Sequence, residues 1–259
     1  MSSKIKKILL KKNKTKIISL TAYSKNVAEA LDNFTDIILV GDSLASVLYN
    51  YKSTREVSLR TMIEHSKSVR AGIKKSLMVV DMPYNTYRNK KEALKNAKKI
   101  IKLTRCDAVK LEGGSSILNI IEHLVKNKIQ VMGHLGLLPQ NVRGQFKFKG
   151  KKSNERKKIL KDSKLLQEKG VFSIVLECVE TTLAKEISDT LRIPTIGIGS
   201  SQYCDGQILV IDDLIGLNTS KIKFVKKFGN IKKNIREAVY KFKKEVLLKK
   251  YPTKKYSYN

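Results

Sequence analysis

Eight short apolar runs recur along the chain, and most of them end in turn-forming or charged residues. The runs are IISLTAY (17–23), DIILVGDS (36–43), LMVVDMP (77–83), AVKLEGG (108–114), IQVMGHLG (129–136), SIVLECV (173–179), PTIGIGS (194–200) and QILVIDD (207–213). Near-continuous apolar stretches of this length are typical of strands that are covered on both faces of a parallel sheet. The pattern therefore predicts an α/β fold.

The segments between these runs show helical periodicity. Apolar residues recur at helix spacing in three sets: Leu59, Met62, Ile63 and Val69; Ile117, Ile120, Ile121 and Leu124; and Leu183, Ile187 and Leu191. Ser115 and Ser116 are expected N-caps, and Gly72 and Gly170 are expected at helix C-termini. Eight strands alternating with helices over 259 residues predict a (β/α)8 TIM barrel, a single domain over residues 1–259 with basic N- and C-terminal extensions. A doubly wound open sheet is the alternative fold.

The chain carries a large excess of positive charge. Its 53 Lys and Arg residues against 23 Asp and Glu residues give a net charge of +30. Such a charge can bind nucleic acid or a membrane surface. The lysines are spread along the chain, however, and form dense runs only at the two ends. We therefore interpret the charge as compositional bias and keep a nucleic-acid binder as the alternative that charge alone would favour.

Other features of the composition predict a cytoplasmic protein with no membrane partner. The sequence has no run of about 20 apolar residues, and its N-terminal segment is too basic for a secretory signal. Cys106, Cys178 and Cys204 are odd in number and lack C-x-x-C spacing. Neither a disulfide framework nor a zinc site is expected, and we interpret the cysteines as buried small residues.

Acidic residues stand at the ends of four predicted strands. Asp42 ends the second strand, Asp81 the third, Glu112 the fourth and Glu177 the sixth. In parallel α/β folds the reactive groups gather at the carboxyl ends of the strands. Strands two, three and four would be neighbours, so Asp42, Asp81 and Glu112 are expected to converge and to hold Mg²⁺, directly or through water. The structural alternative is that each acid caps a helix or pairs with a lysine.

Two further residues are expected beside these acids, in the mouth of the barrel, which is the opening at the carboxyl ends of the strands. Lys110 lies two residues before Glu112 and therefore points to the same face of its strand. Its positive charge could bind the carboxylate of a substrate beside the metal. Ser43 follows Asp42 and offers a hydroxyl and a backbone N–H to the same anion. His134, at the rim of the fifth strand, is either a hydrogen-bonding partner near this site or a structural histidine.

Several strand-end motifs together resemble one known family. The motifs are LVGDSLA, DMPY, VKLEGG, GHLGLLPQ, LECV, IPTIGIGSS and CDGQILVIDD, in this order. They resemble those of the ketopantoate hydroxymethyltransferase family over about residues 17–216. The resemblance implies a magnesium-dependent (β/α)8 barrel enzyme that is usually a homodecamer. It also implies transfer of a hydroxymethyl group from the co-substrate 5,10-methylenetetrahydrofolate to 3-methyl-2-oxobutanoate, which gives 2-dehydropantoate (ketopantoate) in pantothenate and coenzyme A biosynthesis.

The resemblance also implies roles for particular residues. By position in the motifs, Asp42, Asp81 and Glu112 resemble the metal-site acids. Asp42, Ser43, Asp81 and Lys110 resemble the substrate-binding residues, and Glu177 resembles the catalytic base. The chemistry agrees, because bound Mg²⁺ would stabilise the enolate that forms when a base removes the C3 proton of a 2-oxo acid.

Three segments depart from the family pattern. Arg143 stands where relatives commonly have glycine, YKST (51–54) lacks a histidine and an acid, and GIGSS (197–201) replaces a Gly-Ala-Gly. These departures touch no predicted metal or base position, but they leave the folate contacts and the conformation of loop 142–151 open. The alternative function on the same barrel is a folate-independent, metal-dependent aldolase or lyase of a 2-oxo acid.

Overall fold

The computed structural model of the chain describes residues 2–141, 148–218 and 222–258. Contacts divide the chain into two compact units, Met1–Val210 and Ile211–Asn259. The expectation of a single domain with basic extensions stays a prediction. Arg143 and most of the loop that contains it lie outside the described residues.

In the described part of the first unit, eight parallel strands close into a barrel in sequence order. The strands are β1 (Ile17–Thr21), β2 (Ile37–Val40), β3 (Leu77–Asp81), β4 (Ala108–Glu112), β5 (Val131–Gly136), β6 (Ser173–Glu177), β7 (Thr195–Ile198) and β8 (Gly206–Leu209). Every residue of β2, β3 and β4 is buried, as the unbroken apolar runs predict. The predicted (β/α)8 barrel is confirmed, and the alternative open sheet is wrong because β1 pairs with β8.

Helices accompany these strands in the same unit. They are α1 (Ser3–Leu10), α2 (Lys25–Leu31), α3 (Leu44–Val47), α4 (Leu59–Gly72), α5 (Lys90–Thr104), α6 (Leu118–Lys126), α7 (Ser153–Glu168) and α8 (Thr181–Thr190). Short 3₁₀ helices cover Thr54–Glu56 and Ser115–Ile117. Ser58 begins α4 by accepting a hydrogen bond from the N–H of Thr61 at 3.0 Å. This is the usual role of a serine N-cap.

The predicted N-caps Ser115 and Ser116 are wrong. Both residues lie inside the 3₁₀ turn, and α6 begins only at Leu118. The hydroxyl of Ser115 donates to the carboxylate of Asp162 on α7 instead of capping α6. A contact between two helices that are distant in the sequence has therefore replaced the local cap.

The two glycines expected at helix C-termini serve different purposes. Gly170 follows α7 with φ +87°, a left-handed conformation that glycine adopts without strain. Gly72 is the last residue of α4, and a Cβ there would lie 2.4 Å from the carbonyl oxygen of Lys25 on α2. Gly72 therefore allows α2 and α4 to approach closely.

The basic N-terminal run folds into α1 and contributes to the barrel core. Ile5 and Ile8 are buried with the first residues of several strands, among them Ile17, Ile37 and Leu77. Lys4, also on α1, reaches the backbone at the amino-terminal end of the barrel, where its Nζ donates to the Ser76 carbonyl at 2.7 Å. The carboxyl-terminal end of the barrel is thus opposite to α1.

The second unit contains α9 (Ile211–Leu214), α10 (Ile231–Leu247) and a 3₁₀ turn at Lys254–Tyr256. Asn230 begins α10 by accepting a hydrogen bond from the N–H of Lys233 at 3.2 Å. Across the described ranges, no helix combines the length and apolar content that crossing a bilayer would require. Cys106, Cys178 and Cys204 are free thiols. Cys106 and Cys204 are buried as predicted, but the prediction is wrong for Cys178, which is half-buried.

Candidate active site

The four predicted strand-end acids lie at the carboxyl-terminal end of the barrel. Asp81, Glu112 and Glu177 are the last residues of β3, β4 and β6, and Asp42 lies two residues beyond the end of β2. Asp42, Asp81 and Glu112 are each less than 5% exposed, whereas Glu177 is half-buried. The first three acids are therefore removed from bulk water, and the fourth retains access to it.

The register of β3 and β4 places Asp81 opposite Lys110. Lys110 Nζ lies 2.7 Å from Asp81 Oδ1, and both side chains are about 5% exposed or less. Burial would lower the pKa of Lys110, but the carboxylates of Asp81, Glu112 and Asp42 outweigh burial and raise it above its ordinary value. Lys110 therefore carries a positive charge among three buried acids.

Asp42 is held in contact with its neighbours by two hydrogen bonds. Its backbone N–H donates to Asp81 Oδ2 at 3.1 Å, and its own Oδ2 accepts from Gln140 Nε2 at 2.8 Å. Burial raises the pKa of Asp42 well above the ordinary value, and the carboxylates of Asp81 and Glu112 raise it further. Lys110 and Gln140 oppose this shift without cancelling it. The mouth therefore holds more carboxylate than its own cations neutralise.

His134 lies between two of the acids. It stands opposite Glu112 in the β4–β5 register. Its Nδ1 is 3.5 Å from Glu112 Oε1 and its Nε2 is 3.2 Å from Glu177 Oε2. Burial and Lys110 lower the pKa of His134, but Glu112 and Glu177 outweigh both and raise it to about 9. An imidazolium thus links the buried acids to Glu177 through charge, because neither nitrogen makes a well-aligned hydrogen bond.

The sequence matches a family model described as ketopantoate hydroxymethyltransferase over residues 3–254. The chain belongs to this family. It is 66% identical to the 3-methyl-2-oxobutanoate hydroxymethyltransferase of Pelagibacter ubique (strain HTCC1062), with 100% of both chains covered. It is 44% identical to the enzyme of the same name from Anaplasma marginale (strain Florida), over 97% of this chain and 92% of the relative.

Solved structures of more distant enzymes share the barrel. A crystal structure of 2,3-dimethylmalate lyase matches with a TM-score of 0.64 at 12% identity, over 95% of this chain and 88% of that chain. A phosphonopyruvate hydrolase structure, in complex with oxalate and Mg²⁺, matches with a TM-score of 0.60 at 10% identity, over 95% and 86% of the two chains. At such low identity these likenesses support the fold alone.

Magnesium, which the family resemblance implies, fits the donor chemistry of the mouth. Carboxylate oxygens are the ligands that hard divalent cations prefer, and the excess of buried negative charge around Asp42 would be relieved by a cation. Within residues 2–141, 148–218 and 222–258, no group of three or more His, Cys, Asp or Glu residues is arranged so that it could hold a metal ion. Ligation by Asp42, Asp81 and Glu112 therefore stays a prediction.

Two features of this family member's site were not predicted from the sequence. Gln140 is 1% exposed and contacts both Asp42 and Glu112. Tyr23 shares a hydrogen bond of 2.8 Å with the hydroxyl of Ser43, one of the predicted substrate-binding groups. Gln140 closes the motif GHLGLLPQ and Tyr23 closes the run IISLTAY, so both lie in segments that were recognised without their side chains being assigned a role.

Proposed function

We propose that this chain transfers a hydroxymethyl group from 5,10-methylenetetrahydrofolate to 3-methyl-2-oxobutanoate and releases ketopantoate. The name of its relatives supports the reaction. The observation that carries the proposal in the structure is the buried pair of Lys110 and Asp81, at 2.7 Å, inside a mouth that also contains Asp42 and Glu112. A 2-oxo acid has a carboxylate, which a fixed positive charge binds, and a keto oxygen, which a cation stabilises as the enolate forms.

The substrate carboxylate would bind at Lys110 and Ser43. Lys110 is protonated and buried, so its attraction for an anion is weakly screened by water. Ser43 follows Asp42 directly, and its hydroxyl is held at 2.8 Å from the hydroxyl of Tyr23. A bound carboxylate would therefore meet two oriented donors when it enters the mouth.

Asp42, Asp81 and Glu112 would hold Mg²⁺, either directly or through water. When bound, the metal would supply the positive charge that stabilises the enolate form of the substrate. The three acids come from neighbouring strands, and the contact between the Asp42 N–H and Asp81 Oδ2 brings two of them together. Glu112 reaches the same mouth while it also contacts His134.

Glu177 would act as the base that removes the C3 proton. It is the most exposed of the four acids and contacts His134 through Oε2, so Oε1 can accept the proton. His134 would limit the movement of the carboxylate, because its two nitrogens lie near Glu112 on one side and Glu177 on the other. The carbanion at C3 would form a new C–C bond to the one-carbon unit of the folate. Both C–N bonds of the methylene bridge would break, water would supply the hydroxyl group, and the C3 proton and the second proton of water would go to the two folate nitrogens, which leaves tetrahydrofolate.

The resemblance further supports a homodecamer, and the absence of a long apolar run and of a secretory signal in the sequence supports a cytoplasmic location. Sedimentation of the purified protein would test the oligomeric state.

Product formation tests the proposed reaction directly. The purified protein is incubated with 3-methyl-2-oxobutanoate, Mg²⁺ and 5,10-methylenetetrahydrofolate, and ketopantoate is measured by mass spectrometry. We expect ketopantoate only when the folate is present. Cleavage or condensation of the 2-oxo acid without any one-carbon donor would favour the aldolase or lyase alternative.

A further inference from the structure

Gln140 connects three neighbouring strand ends through its side chain and its backbone. Its Nε2 donates to Asp42 Oδ2 at 2.8 Å and to the carbonyl oxygen of Met82, just beyond β3, at 3.0 Å. Its backbone N–H donates to Glu112 Oε2 at 3.0 Å. One residue from the segment after β5 thus contacts two of the predicted metal-site acids.

The orientation of the Gln140 amide is fixed by its partners. The Met82 carbonyl can only accept, so the amide nitrogen and not the oxygen must face it. On the other side, the Tyr87 hydroxyl donates to Gln140 Oε1 at 2.5 Å. Arg55 Nε also donates to the Gln140 carbonyl at 2.6 Å, which holds the backbone of the residue. The amide oxygen and nitrogen of Gln140 are therefore satisfied in one arrangement, which presents an N–H to Asp42.

We propose that Gln140 is a positioning residue that sets the orientation of the Asp42 and Glu112 carboxylates, and that Tyr87 acts on the site through Gln140. When one carboxylate oxygen accepts a hydrogen bond from a fixed N–H, the orientation of the whole carboxylate is restricted. In Asp42 this leaves the other oxygen to bind a ligand. Partners of this kind behind a metal ligand typically contribute 10- to 100-fold to metal affinity. The inference rests on the proposed function, because it takes Asp42 and Glu112 as the groups that hold Mg²⁺.

Gln140→Met tests the side-chain contact while it keeps the length and much of the volume of the residue. We expect the Mg²⁺ affinity, measured by calorimetry in the presence of 3-methyl-2-oxobutanoate, to fall by about 10- to 100-fold. Exchange of the C3 proton with deuterated water, followed by NMR, should recover to within a few-fold of wild type at saturating Mg²⁺. A purely structural role would instead lower the unfolding temperature and reduce exchange at every Mg²⁺ concentration.

Gln130→Met is the matched control. Gln130 immediately precedes β5, whereas Gln140 follows it, and the backbone carbonyl of Gln130 accepts a hydrogen bond from the N–H of Val109 on β4. We expect the Mg²⁺ affinity and the exchange of this variant to equal those of wild type.

Tyr87→Phe tests the second half of the inference. It removes only the hydroxyl that orients Oε1, so a several-fold loss of Mg²⁺ affinity is expected in the wild-type background. In the Gln140→Met background the same substitution should cause no further loss, because Tyr87 acts through the missing amide. Full additivity of the two losses would overturn the role of Tyr87.

Two other results would overturn the role of Gln140. They are wild-type Mg²⁺ affinity in Gln140→Met, and a loss that saturating Mg²⁺ does not reverse. If the wild-type protein binds Mg²⁺ but forms no ketopantoate, the proposed function is wrong. The Mg²⁺ titration of Gln140→Met would still test the positioning role of Gln140 in that case.

Discussion

At the residue scale, the balance of charge in the mouth explains how the four strand-end acids can differ in their proposed roles, three as metal ligands and one as a base. Lys110 and His134 are buried cations, and both keep their protons because carboxylates surround them. Asp42 nevertheless has a raised pKa, since burial and the acids beside it disfavour another negative charge. Glu177 stands apart from this crowding at the end of β6. The predicted metal-site acids are thereby separated from Glu177, the predicted base.

The separation predicts a selective loss in Glu177→Gln. We expect this variant to bind Mg²⁺ and 3-methyl-2-oxobutanoate within a few-fold of wild type, because the substitution preserves size and leaves Lys110 and Asp81 untouched. Exchange of the C3 proton should fall by at least about 100-fold, the low end of what a positioned base contributes. NMR in deuterated water measures the exchange, and a wild-type rate would show that another residue is the base.

Asp81→Asn tests the opposite side of the mouth. It removes the anion that pairs with Lys110 and one of the three predicted metal donors. We expect Mg²⁺ affinity to fall by about 10-fold or more while the circular dichroism spectrum stays that of the wild type, because the strand and the side-chain volume are retained. Asp189→Asn is the control, since Asp189 on α8 is exposed and pairs with Lys185. Equal Mg²⁺ affinity in both variants would remove Asp81 from the metal site.

At the element scale, the strands could be predicted because burial on both faces imposes unbroken apolar runs. The residues at which the strands end could not be predicted. The run DIILVGDS predicts a strand to residue 43, but β2 ends at Val40 and the chain turns before α3. This early turn brings the Asp42 N–H onto Asp81. The wrong caps at Ser115 and Ser116 have a similar origin, because the contact between Ser115 and Asp162 joins residues that are far apart in the sequence.

The connection between α4 and β3 gives a prediction about stability. Asp32, at the end of α2, accepts hydrogen bonds from the backbone N–H groups of Lys74, Lys75 and Ser76 at 2.8 to 3.1 Å. Burial raises the pKa of Asp32, but these donors outweigh burial and lower it below the ordinary value. A carboxylate whose pKa is lower in the folded chain adds stability above its unfolded pKa, about 3.9, and this contribution is lost as the pH falls through the folded value.

We therefore expect Asp32→Ala to lower the free energy of unfolding by about 1 to 3 kcal/mol at pH 7. The difference from wild type should shrink as the pH falls below about 4, because the unfolded chain then binds a proton at Asp32, and the rest of the contribution is lost as the folded carboxylate is protonated at still lower pH. Urea unfolding at several pH values measures both effects. Glu29→Ala, at an exposed position of the same helix, is the control and should change the free energy by less than about 0.5 kcal/mol at either pH. A difference between wild type and Asp32→Ala that is constant from pH 7 to pH 3 would contradict this account.

At the scale of the whole molecule, the order of strand-end motifs was enough to predict the barrel and the rim that carries the acids. The hydrogen-bond network that joins them was not predictable. Gln140 lies beside other polar residues in the segment after β5, and His134 is a single polar residue in an apolar strand. In neither case does the local sequence distinguish a positioning role from a structural one. Their partners come from β2, β3, β4 and β6, so only the closed barrel defines their contacts.

The net charge of +30 is also a property of the whole chain. The first three lysines of the N-terminal run belong to α1, whose apolar face is in the barrel core. By contrast, the second unit exposes Lys249, Lys250, Lys254 and Lys255. Exposed charges contribute little to one another and are screened beyond about 8 Å at physiological salt. This distribution favours compositional bias as the origin of the C-terminal charge.

Neutralising the C-terminal lysines tests that interpretation. We expect a variant with glutamine at Lys249, Lys250, Lys254 and Lys255 to keep turnover within about twofold of wild type, because screened surface charges have little effect on a buried mouth. The polyglutamate tail of folate is anionic, however, so a basic surface could raise the rate of encounter at low salt. The folate KM of the variant is measured from low to high salt, beside a control in which four exposed lysines of α5 (Lys90, Lys91, Lys95 and Lys98) become glutamine. Both variants lose the same number of charges, so a difference between them depends on where the lysines lie. If the folate KM rises several-fold at low salt in the C-terminal variant alone, and this rise disappears at high salt, the C-terminal lysines contribute to folate binding.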